Sequence, residues 1–331
     1  MSKPVKILVT GADGFIGSHL TERLVAEGHD VRAMVMYNAF GSVGRLAQLP
    51  VEVQNKIEIF PADVCDLGRV TEALQGVTHL FHLASLIGIP YSYHAARSYL
   101  NTNVGGSLNL LQAAKQVGVS QFIHTSTSEV YGSAQKTPMN ESHPLVGQSP
   151  YAASKIGADQ MVNAFGVSHD LPVTTIRPFN TYGPRQSARA VIPTIIVQLA
   201  SGKREIELGS LTPRRDLTFV GDLVSGFIAA LDNSETVGRT INIGAGEDHA
   251  IGDLAIMIGK LMGVEFTIKT DPNRVRPEKS EVSQLLADNS LAQELLGWSP
   301  TVSIEDWLRK TIEYFRQPEI LANFHPDRYE I

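Results

Sequence analysis

The sequence of 331 residues is poor in cysteine and lacks long apolar runs. Its single cysteine, Cys65, excludes an intramolecular disulfide and is typical of a protein from a reducing compartment. The most apolar stretch, residues 190–200, is too short to span a bilayer and contains Pro193 and Gln198. No signal-peptide pattern precedes the first apolar segment. We therefore expect a cytoplasmic protein with no membrane partner.

An excess of positive charge is also missing. Lys and Arg total 28 against 34 Asp and Glu, which gives a net charge of −6. This balance argues against binding of the whole protein to a phosphate backbone, so we expect no nucleic-acid partner. The length is sufficient for a sizeable core and for two lobes.

Short apolar runs alternate with helical patterns over the first half of the sequence. This alternation predicts an α/β protein with a doubly wound parallel sheet. The predicted strands cover residues 5–10, 31–36, 57–61, 78–83, 121–126 and 173–177, and the predicted helices lie around residues 15–26, 67–75, 97–117 and 150–167. In such sheets the ligand crevice lies beyond the carboxyl ends of the strands.

A glycine-rich turn, Gly-Ala-Asp-Gly-Phe-Ile-Gly at residues 11–17, joins the first strand to the first helix. Gly11 lets the chain turn, Gly14 lets the backbone approach a pyrophosphate, and Gly17 lets helix and strand pack closely. The spacing is G-x-x-G-x-x-G, and Phe15 and Ile16 lie between the last two glycines. This strand–turn–helix context predicts a Rossmann-type dinucleotide site.

The two lobes are predicted from where the α/β pattern loosens. Beyond residue 179 prolines and glycines become frequent, although residues 216–231 and 239–243 look long enough to return to the sheet. We predict a dinucleotide-binding Rossmann domain of residues 1–178 with 216–243. Residues 179–215 and 244–331 are expected to form a smaller C-terminal α/β lobe that binds the substrate.

Tyr151 and Lys155 lie four residues apart in the run Ser-Pro-Tyr-Ala-Ala-Ser-Lys, residues 149–155. Ser149 can cap a helix whose first position is Pro150, which places Tyr151 and Lys155 on one helix face. An ammonium beside a phenol favours the phenolate, so we expect Lys155 to lower the pKa of Tyr151 and make it a proton acceptor near neutral pH.

Eight ordered motifs identify the chain as a member of the extended short-chain dehydrogenase/reductase family, the nucleotide-sugar epimerases and dehydratases. The motifs are TGADGFIGSHL at 10–20, Asp63, HLAS at 82–85, NTNVGGSLNLL at 101–111, TSTSEVYG at 125–132, YAASK at 151–155, RPFNTYGPRQ at 177–186 and RRDLTFVGDLV at 214–224. The resemblance covers nearly the whole chain. Family membership does not fix the substrate or the reaction.

The resemblance implies roles for individual residues. Thr127 would bond the reacting sugar oxygen, Tyr151 would be the base, and Lys155 would activate it and anchor the ribose. The other implied cofactor-binding residues are Gly11, Gly14, Phe15, Ile16, Gly17, Asn38, Asp63, Val64, Leu83, Ala84, Ser85, Asn103 and Thr125. The implied substrate-binding residues are Asn180, Arg185, Arg215 and Arg276, since guanidinium groups suit phosphate geometry.

Glu129 bears on the type of reaction. By the same resemblance, a glutamate here is the base that removes the C5 proton in 4,6-dehydratases, whereas epimerases usually carry a small or neutral residue. Many dehydratases have an aspartic acid just before it, and this chain has Ser128, which leaves the general acid open. The Thr-Ser-Glu triplet resembles GDP-mannose 4,6-dehydratases, and it is also found in UDP-xylose synthases. A 4,6-dehydratase is therefore predicted, with a 4-epimerase or a UDP-glucuronate decarboxylase as the alternative.

Three segments, 36–42, 85–95 and 184–196, resemble LegB-type dehydratases of legionaminic acid pathways. That resemblance implies a nucleotide-linked N-acetylhexosamine substrate, carried by UDP or GDP. It also implies NAD. No carboxylate follows the second strand, where Val35 or Met36 lies, so NADP remains possible from the residues alone.

Two further expectations concern partners and metals. In this family the equivalents of helices 97–117 and 150–167 form a four-helix interface, so we expect a homodimer with a closed two-fold contact. His79, His82 and His124 lie on strands without neighbouring ligands at metal-binding spacing, so no metal is expected. A non-catalytic dinucleotide-binding sensor is a further alternative, although a sensor has no use for an activated phenol.

Overall fold

The strands predicted before residue 179 form one parallel sheet. The computed structural model describes residues 5–327, and its largest sheet has seven strands in the order β3-β2-β1-β4-β5-β6-β10. The strands of the protein are β1 (Lys6–Thr10), β2 (Asp30–Val35), β3 (Ile57–Pro61), β4 (His79–His82), β5 (Gln121–Thr125), β6 (Val173–Pro178), β7 (Asn180–Tyr182), β8 (Glu205–Leu208), β9 (Arg214–Phe219), β10 (Thr240–Ile243), β11 (Asp248–Ala250), β12 (Thr267–Thr270) and β13 (Gln284–Leu285).

Helices cover both faces of this sheet. They are α1 (Phe15–Ala26), α2 (Val51–Gln54), α3 (Leu67–Ala73), α4 (Ile89–His94), α5 (Ala96–Tyr99), α6 (Gly106–Val117), α7 (Pro150–His169), α8 (Val191–Ala200), α9 (Val220–Ala230), α10 (Ile251–Met262), α11 (Ser290–Leu296), α12 (Ile304–Arg316) and α13 (Pro318–Leu321). None of the helices within residues 5–327 combines the length and the apolar character that crossing a bilayer requires.

Side chains of β1 alternate between two hydrophobic cores, as expected for a strand buried on both sides. Ile7 and Val9 pack with Leu24 and Phe227 from helices α1 and α9. Leu8 packs on the opposite face with a second cluster that contains Leu110 of α6. The predicted doubly wound α/β fold is therefore confirmed.

The helix predicted over residues 97–117 is interrupted. Residues 100–105 form a π-helical turn between α5 and α6. The wide turn places Asn103 against the loop after β4, where its side-chain amide donates to the Leu86 carbonyl (3.0 Å) and to Ser154 (2.9 Å), and its oxygen accepts from the Leu86 N–H (2.8 Å). Wide turns of this kind often mark functional positions in helices.

The segment 216–243 returns to the large sheet only in part. Strand β10 pairs with β6, and the buried face of α9 belongs to the same core as β1. Strand β9 instead pairs with β7, β11 and β13 in a separate four-stranded sheet, so the expectation that residues 216–219 join the large sheet is wrong. Strands β8 and β12 form a third, two-stranded sheet. The division into two lobes remains a proposal, and its residues 328–331 lie outside the described residues.

Candidate active site

A cavity of about 920 Å³ lies at the carboxyl ends of the parallel strands. It begins at the glycine turn after β1 and ends at Arg276 and Glu281. Strand ends contribute to it because parallel strands bring all of their carboxyl ends to one edge of the sheet. The predicted residues that line it are Gly11, Gly14, Phe15, Ile16, Gly17, Asp63, Val64, Leu83, Ala84, Ser85, Thr125, Thr127, Ser128, Glu129, Tyr151, Asn180, Arg185, Arg215 and Arg276.

The glycine turn has no room for side chains. Gly11 has φ +67°, and a Cβ there would lie 2.9 Å from the backbone of Ala84. A Cβ on Gly17 would lie 2.1 Å from the Gly11 carbonyl oxygen. Helix α1 begins after Gly14 with no side-chain cap, so its first N–H groups face the cavity end of the helix without a partner from a capping side chain. This is the arrangement that binds a pyrophosphate.

The adenine end of the predicted cofactor site includes Asp63 and Val64, which follow β3. Asp63 Oδ1 accepts from the Cys65 N–H (2.8 Å), which fixes the carboxylate at the cavity wall. Asn38 does not line the cavity. Its amide donates to the carbonyls of Met36 and Ser42, and its oxygen accepts from the N–H groups of Phe40 and Ser42. The Asn38 side chain is thus used within its own loop, and its contact with the cofactor stays a prediction.

The loop after β4 forms the next part of the wall. Thr10 Oγ1 accepts from the N–H groups of Leu83 and Ala84, at 3.1 Å each, and this holds the loop close to β1. Asn103 is 1% exposed and reaches this loop from behind rather than from the cavity. Asn103 thus holds Leu86 in place, and its predicted contact with the cofactor stays a prediction.

Thr127, Ser128, Glu129 and Tyr151 meet in the middle of the cavity. Thr127 caps a helical turn over residues 128–131, with its Oγ1 accepting from the Glu129 N–H (3.3 Å). Tyr151 enters from α7, which is capped by Ser149 as predicted: the Ala152 N–H donates to Ser149 Oγ (3.1 Å). Glu129 is only 9% exposed. A carboxylate, a phenol and two hydroxyls are thus brought together in a largely buried part of the cavity.

The electrostatics of Tyr151 differ from the sequence-based expectation. Burial raises the pKa of Tyr151 well above its usual value, the charge of Glu129 raises it further, and a hydrogen bond with Thr127 lowers it. Lys155 Nζ donates to the Thr125 carbonyl (2.7 Å) and does not line the cavity. The prediction that the pKa of Tyr151 is lowered is therefore wrong, because burial of the phenol raises it. The role of Tyr151 as a proton acceptor stays a prediction.

Lys155 itself lies on a buried network behind the cavity. Burial lowers the pKa of Lys155 to about 8, and the charge of Asp159 opposes this shift. The Asp159 carboxylate accepts from Ser126 Oγ (2.6 Å), Arg177 Nη2 (2.9 Å) and His124 Nε2 (3.2 Å). Burial raises the pKa of Asp159, but these partners hold it at about 2. Asp159 is therefore the anion that balances two buried cations.

The far end of the cavity contains the predicted arginines. Arg215 Nη2 donates to Glu281 Oε1 (2.9 Å), and Arg276 Nη1 approaches the same oxygen (3.5 Å). Burial lowers the pKa of the Arg215 guanidinium, and the charge of Glu129 opposes this shift. Asn180 Oδ1 is buried at the cavity wall and has no hydrogen-bond partner among residues 5–327. Arg215 and Arg276 thus share Glu281, and the charge of Glu129 acts on Arg215.

Arg185 connects the cavity to helix α1. Its Nη2 donates to Glu22 Oε2 (2.5 Å) and contacts His19 Nδ1 (2.6 Å), while its buried Nη1 has no partner among residues 5–327. Burial, together with the charge of Arg185, lowers the pKa of His19 to about 3, so this imidazole is neutral. Arg185 is thus held by Glu22 and His19 where it lines the cavity.

Four residues of this region were not predicted from the sequence. Asp13 and Arg45 line the cavity beside the end of β2, Glu281 lines it with the arginines, and Asp159 lies behind it. Asp159 had a visible pattern, since it follows Lys155 by four residues on the same helix face. Asp13 is 23 residues from Met36 and Glu281 is 66 residues from Arg215, so no local pattern joins these pairs.

Comparison with known proteins agrees with this geometry. A family model described as GDP-mannose 4,6 dehydratase matches residues 8–311. The chain belongs to the extended short-chain dehydrogenase/reductase family. The family membership that the sequence motifs predicted is therefore confirmed.

Relatives within the family carry out different reactions. The chain is 32% identical to a UDP-glucose 4-epimerase of Mycolicibacterium smegmatis, over 94% of this chain and 99% of the relative. It is 33% identical to UDP-glucuronic acid decarboxylase 1 of Xenopus tropicalis, over 94% of this chain and 72% of the relative. The crystal structure of a dTDP-glucose 4,6-dehydratase double mutant from Streptomyces venezuelae, with NAD bound, covers 95% of this chain and 97% of its own at a TM-score of 0.87 and 29% identity. Sequence identity therefore does not select among the three activities.

Proposed function

We propose that this chain is an NAD-dependent nucleotide-sugar 4,6-dehydratase that forms a nucleotide-linked 4-keto-6-deoxyhexose. The observation that carries the proposal is Glu129, a carboxylate that is 9% exposed in the cavity and whose charge acts on both Tyr151 and Arg215. A carboxylate held there can remove a proton from the sugar carbon next to the oxidised one. An epimerase that only oxidises and reduces C4 has no need of it.

The glycine turn fits a dinucleotide. The space that a Cβ at Gly17 or Gly11 would fill is taken by backbone, and the uncapped start of α1 offers N–H donors to a pyrophosphate. Bound NAD supplies a hydride acceptor at C4, a positively charged ring beside the sugar, and the same hydride for return at C6. Relatives crystallised with NAD support this choice.

The residues of the chain would divide the proton transfers among them. Tyr151 and Thr127, which share a hydrogen bond, hold the C4 hydroxyl, and Tyr151 takes its proton. Glu129 takes the C5 proton once C4 is a ketone, because the ketone acidifies that carbon. Ser128, which is 2% exposed beside Glu129, relays a proton to the departing C6 hydroxyl. The sugar loses one water. A proton would return from Glu129 to C5 as the hydride removed from C4 is delivered to C6, so no net oxidation would occur.

The raised pKa of Tyr151 places a condition on this scheme. A buried phenol beside the Glu129 carboxylate stays protonated near neutral pH. Tyr151 would accept a proton only where added positive charge favours the phenolate, and bound NAD would supply charge of that sign.

The substrate is proposed to be a UDP- or GDP-linked hexose, with N-acetylhexosamine the preferred sugar. Arg215, Arg276 and Asn180 lie at the end of the cavity remote from the glycine turn, where they suit a diphosphate. The resemblance of the loops at 36–42, 85–95 and 184–196 to LegB-type dehydratases supports the acetamido sugar. The 4-epimerase and the UDP-glucuronate decarboxylase are the competing outcomes of the test below.

The test is incubation of the purified protein and NAD with UDP-, GDP-, CDP- and dTDP-sugars, followed by mass spectrometry. We expect a product one water lighter than its substrate and no net accumulation of reduced cofactor. In deuterated water one deuteron should appear at C5, and label at substrate C4 should move to C6. Glu129→Gln should still oxidise C4 but should trap reduced cofactor on the enzyme, whereas Glu294→Gln, an exposed carboxylate on α11, should behave as wild type.

A product of unchanged mass would identify an epimerase instead. Release of carbon dioxide from a uronic acid alone would identify a decarboxylase. If Glu129→Gln retained the full rate of water loss, Glu129 would have no part in the elimination, and the dehydratase assignment would lose its main support.

A further inference from the structure

The end of β2 lacks the carboxylate that usually distinguishes NAD from NADP. Rossmann domains that use NAD place an acidic residue there, where it accepts from the 2′-hydroxyl of the adenosine ribose. In this chain Val35 ends the strand and Met36 follows it. Neither side chain can accept a hydrogen bond from a ribose or repel a phosphate.

The carboxylate of Asp13 lies beside the end of β2, although Asp13 belongs to the glycine turn after the neighbouring strand β1. Strands β1 and β2 are parallel neighbours with Thr10 opposite Met34, so the turn after β1 lies beside the end of β2. Asp13 Oδ2 accepts from the Met36 N–H (3.2 Å), and the Asp13 carbonyl accepts from the Arg45 N–H (2.9 Å). The carboxylate is thus fixed at the position where the sequence has no acid.

We infer that Asp13 receives the 2′-hydroxyl of the adenosine ribose and makes this protein select NAD over NADP. The inference rests on the proposed function, because it assumes that the cavity binds a nicotinamide dinucleotide. Asp13 lines the cavity together with Met36 and Asp63. Within residues 5–327 the structure records only the Met36 N–H as a donor to its carboxylate, so lone pairs remain for a ribose hydroxyl.

The other polar groups near the end of β2 cannot take this role as well. The Asn38 amide is used within its own loop, and Ser42 Oγ accepts from the Gly44 N–H (3.2 Å). Arg45 is the one nearby cation on the cavity wall, among the described residues, that would favour a 2′-phosphate. Arg45 and Asp13 are both half-buried, and their charges would act in opposite directions on a 2′-phosphate. The Asp13 carboxylate is held in place by the Met36 N–H.

The charge of Asp13 acts in opposite directions on the two cofactors. A carboxylate accepts from the 2′-hydroxyl of NAD in a charge-assisted hydrogen bond. The same carboxylate repels the 2′-phosphate of NADP, which offers it no hydrogen to share. Discrimination therefore depends on both the attraction and the repulsion. Removal of the charge should weaken the binding of NAD and strengthen the binding of NADP.

The test is direct binding of NADH and NADPH to the purified protein, measured by cofactor fluorescence without any sugar substrate. The variant Asp13→Asn keeps an oxygen that can accept from the Met36 N–H but removes the charge. We expect NADH binding to weaken by roughly tenfold or more and the NADH preference to fall by more than that. Glu52→Gln, an exposed carboxylate on α2, makes the same change in net charge and should leave the preference unchanged.

A cofactor analogue gives a second measurement. NADH that lacks the adenosine 2′-hydroxyl should bind wild type more weakly than NADH does, but it should bind Asp13→Asn as well as NADH does. Thermal melting of each variant would show whether it is folded, and Asp13→Ser provides a smaller replacement if Asp13→Asn is not.

Each result decides one point. Equal binding of NADH and NADPH to wild type, or an unchanged preference in Asp13→Asn, would overturn the inference and leave the dehydratase proposal standing. Preference for NADPH that disappears in Arg45→Gln would overturn it too and assign the site to a 2′-phosphate. Failure of the wild-type protein to bind either dinucleotide would instead contradict the proposed function.

Discussion

Removal of the Asp159 carboxylate should expose how strongly the buried network behind the cavity depends on one anion. Asp159→Asn keeps the shape of the side chain, but it leaves Arg177 and Lys155, which are 4% and 3% exposed, without the charge that balances them. Breaking a buried ion pair by removing one partner costs about 3–5 kcal/mol of unfolding free energy. For a chain of this size the melting temperature should fall by roughly 4–7 °C.

The pH dependence of the stability lost in Asp159→Asn distinguishes the removal of a buried charge from a simple packing defect. Burial places the pKa of Lys155 at about 8 in the folded protein, below its ordinary value of 10.5. The unfolded chain therefore holds more protons than the folded one between these values, and stability rises with pH from about 8 to about 10.5. Without Asp159 the folded-state pKa falls further, so this rise should begin at a lower pH in the variant.

The assay is denaturant unfolding of wild type and Asp159→Asn from pH 6 to pH 10, with Glu313→Gln, an exposed carboxylate of α12, as the matched control. Arg177→Met and the double variant complete a cycle that measures the coupling of the pair. A loss below about 1 kcal/mol, the range of an exposed pair, would refute the reasoning. So would a variant whose stability follows pH in parallel with wild type.

Two further predictions concern the site and the assembly. Tyr151→Phe keeps the ring but removes the proton acceptor, so turnover should fall by roughly 10²–10⁴-fold while NADH binding is kept; wild-type turnover in this variant would exclude Tyr151 as the base. We also expect a homodimer through α6 and α7, so light scattering at micromolar concentration should report about twice the chain mass of 36.0 kDa, and a mass of one chain would contradict the four-helix interface.

Much of the fold follows from local patterns in the sequence. The apolar runs of β1 and β5 are buried on both faces, which is why they read as strands of a parallel sheet. The glycine turn could be placed because Gly11 and Gly17 meet backbone atoms at distances that no side chain allows. Most of the residues predicted at the site then meet in one cavity, since the strand ends of a parallel sheet share one edge.

Strand β9 shows where local pattern fails. Its burial is nearly continuous, like that of the strands of the large sheet, so the sequence gives no sign of which sheet it joins. The strands that pair with β9 come from segments before and after it in the sequence. Asn180 of β7 lies opposite Leu217, and Gln284 of β13 lies opposite Arg214. Pairings of this kind depend on contacts between segments that are far apart in the sequence.

The chemistry of the site was harder to predict than its position, and Tyr151 shows why. Helix geometry places Lys155 on the same face of α7 as Tyr151. The pKa of the Tyr151 phenol, however, depends on burial and on Glu129, which comes from a different element. Cofactor choice has the same origin, because Asp13 and Met36 meet only through the pairing of β1 with β2. Arg185 and Glu22 are likewise joined by folding alone. Each family motif therefore locates its reacting groups, whereas the charge states of those groups depend on contacts between separate motifs that only the fold brings together.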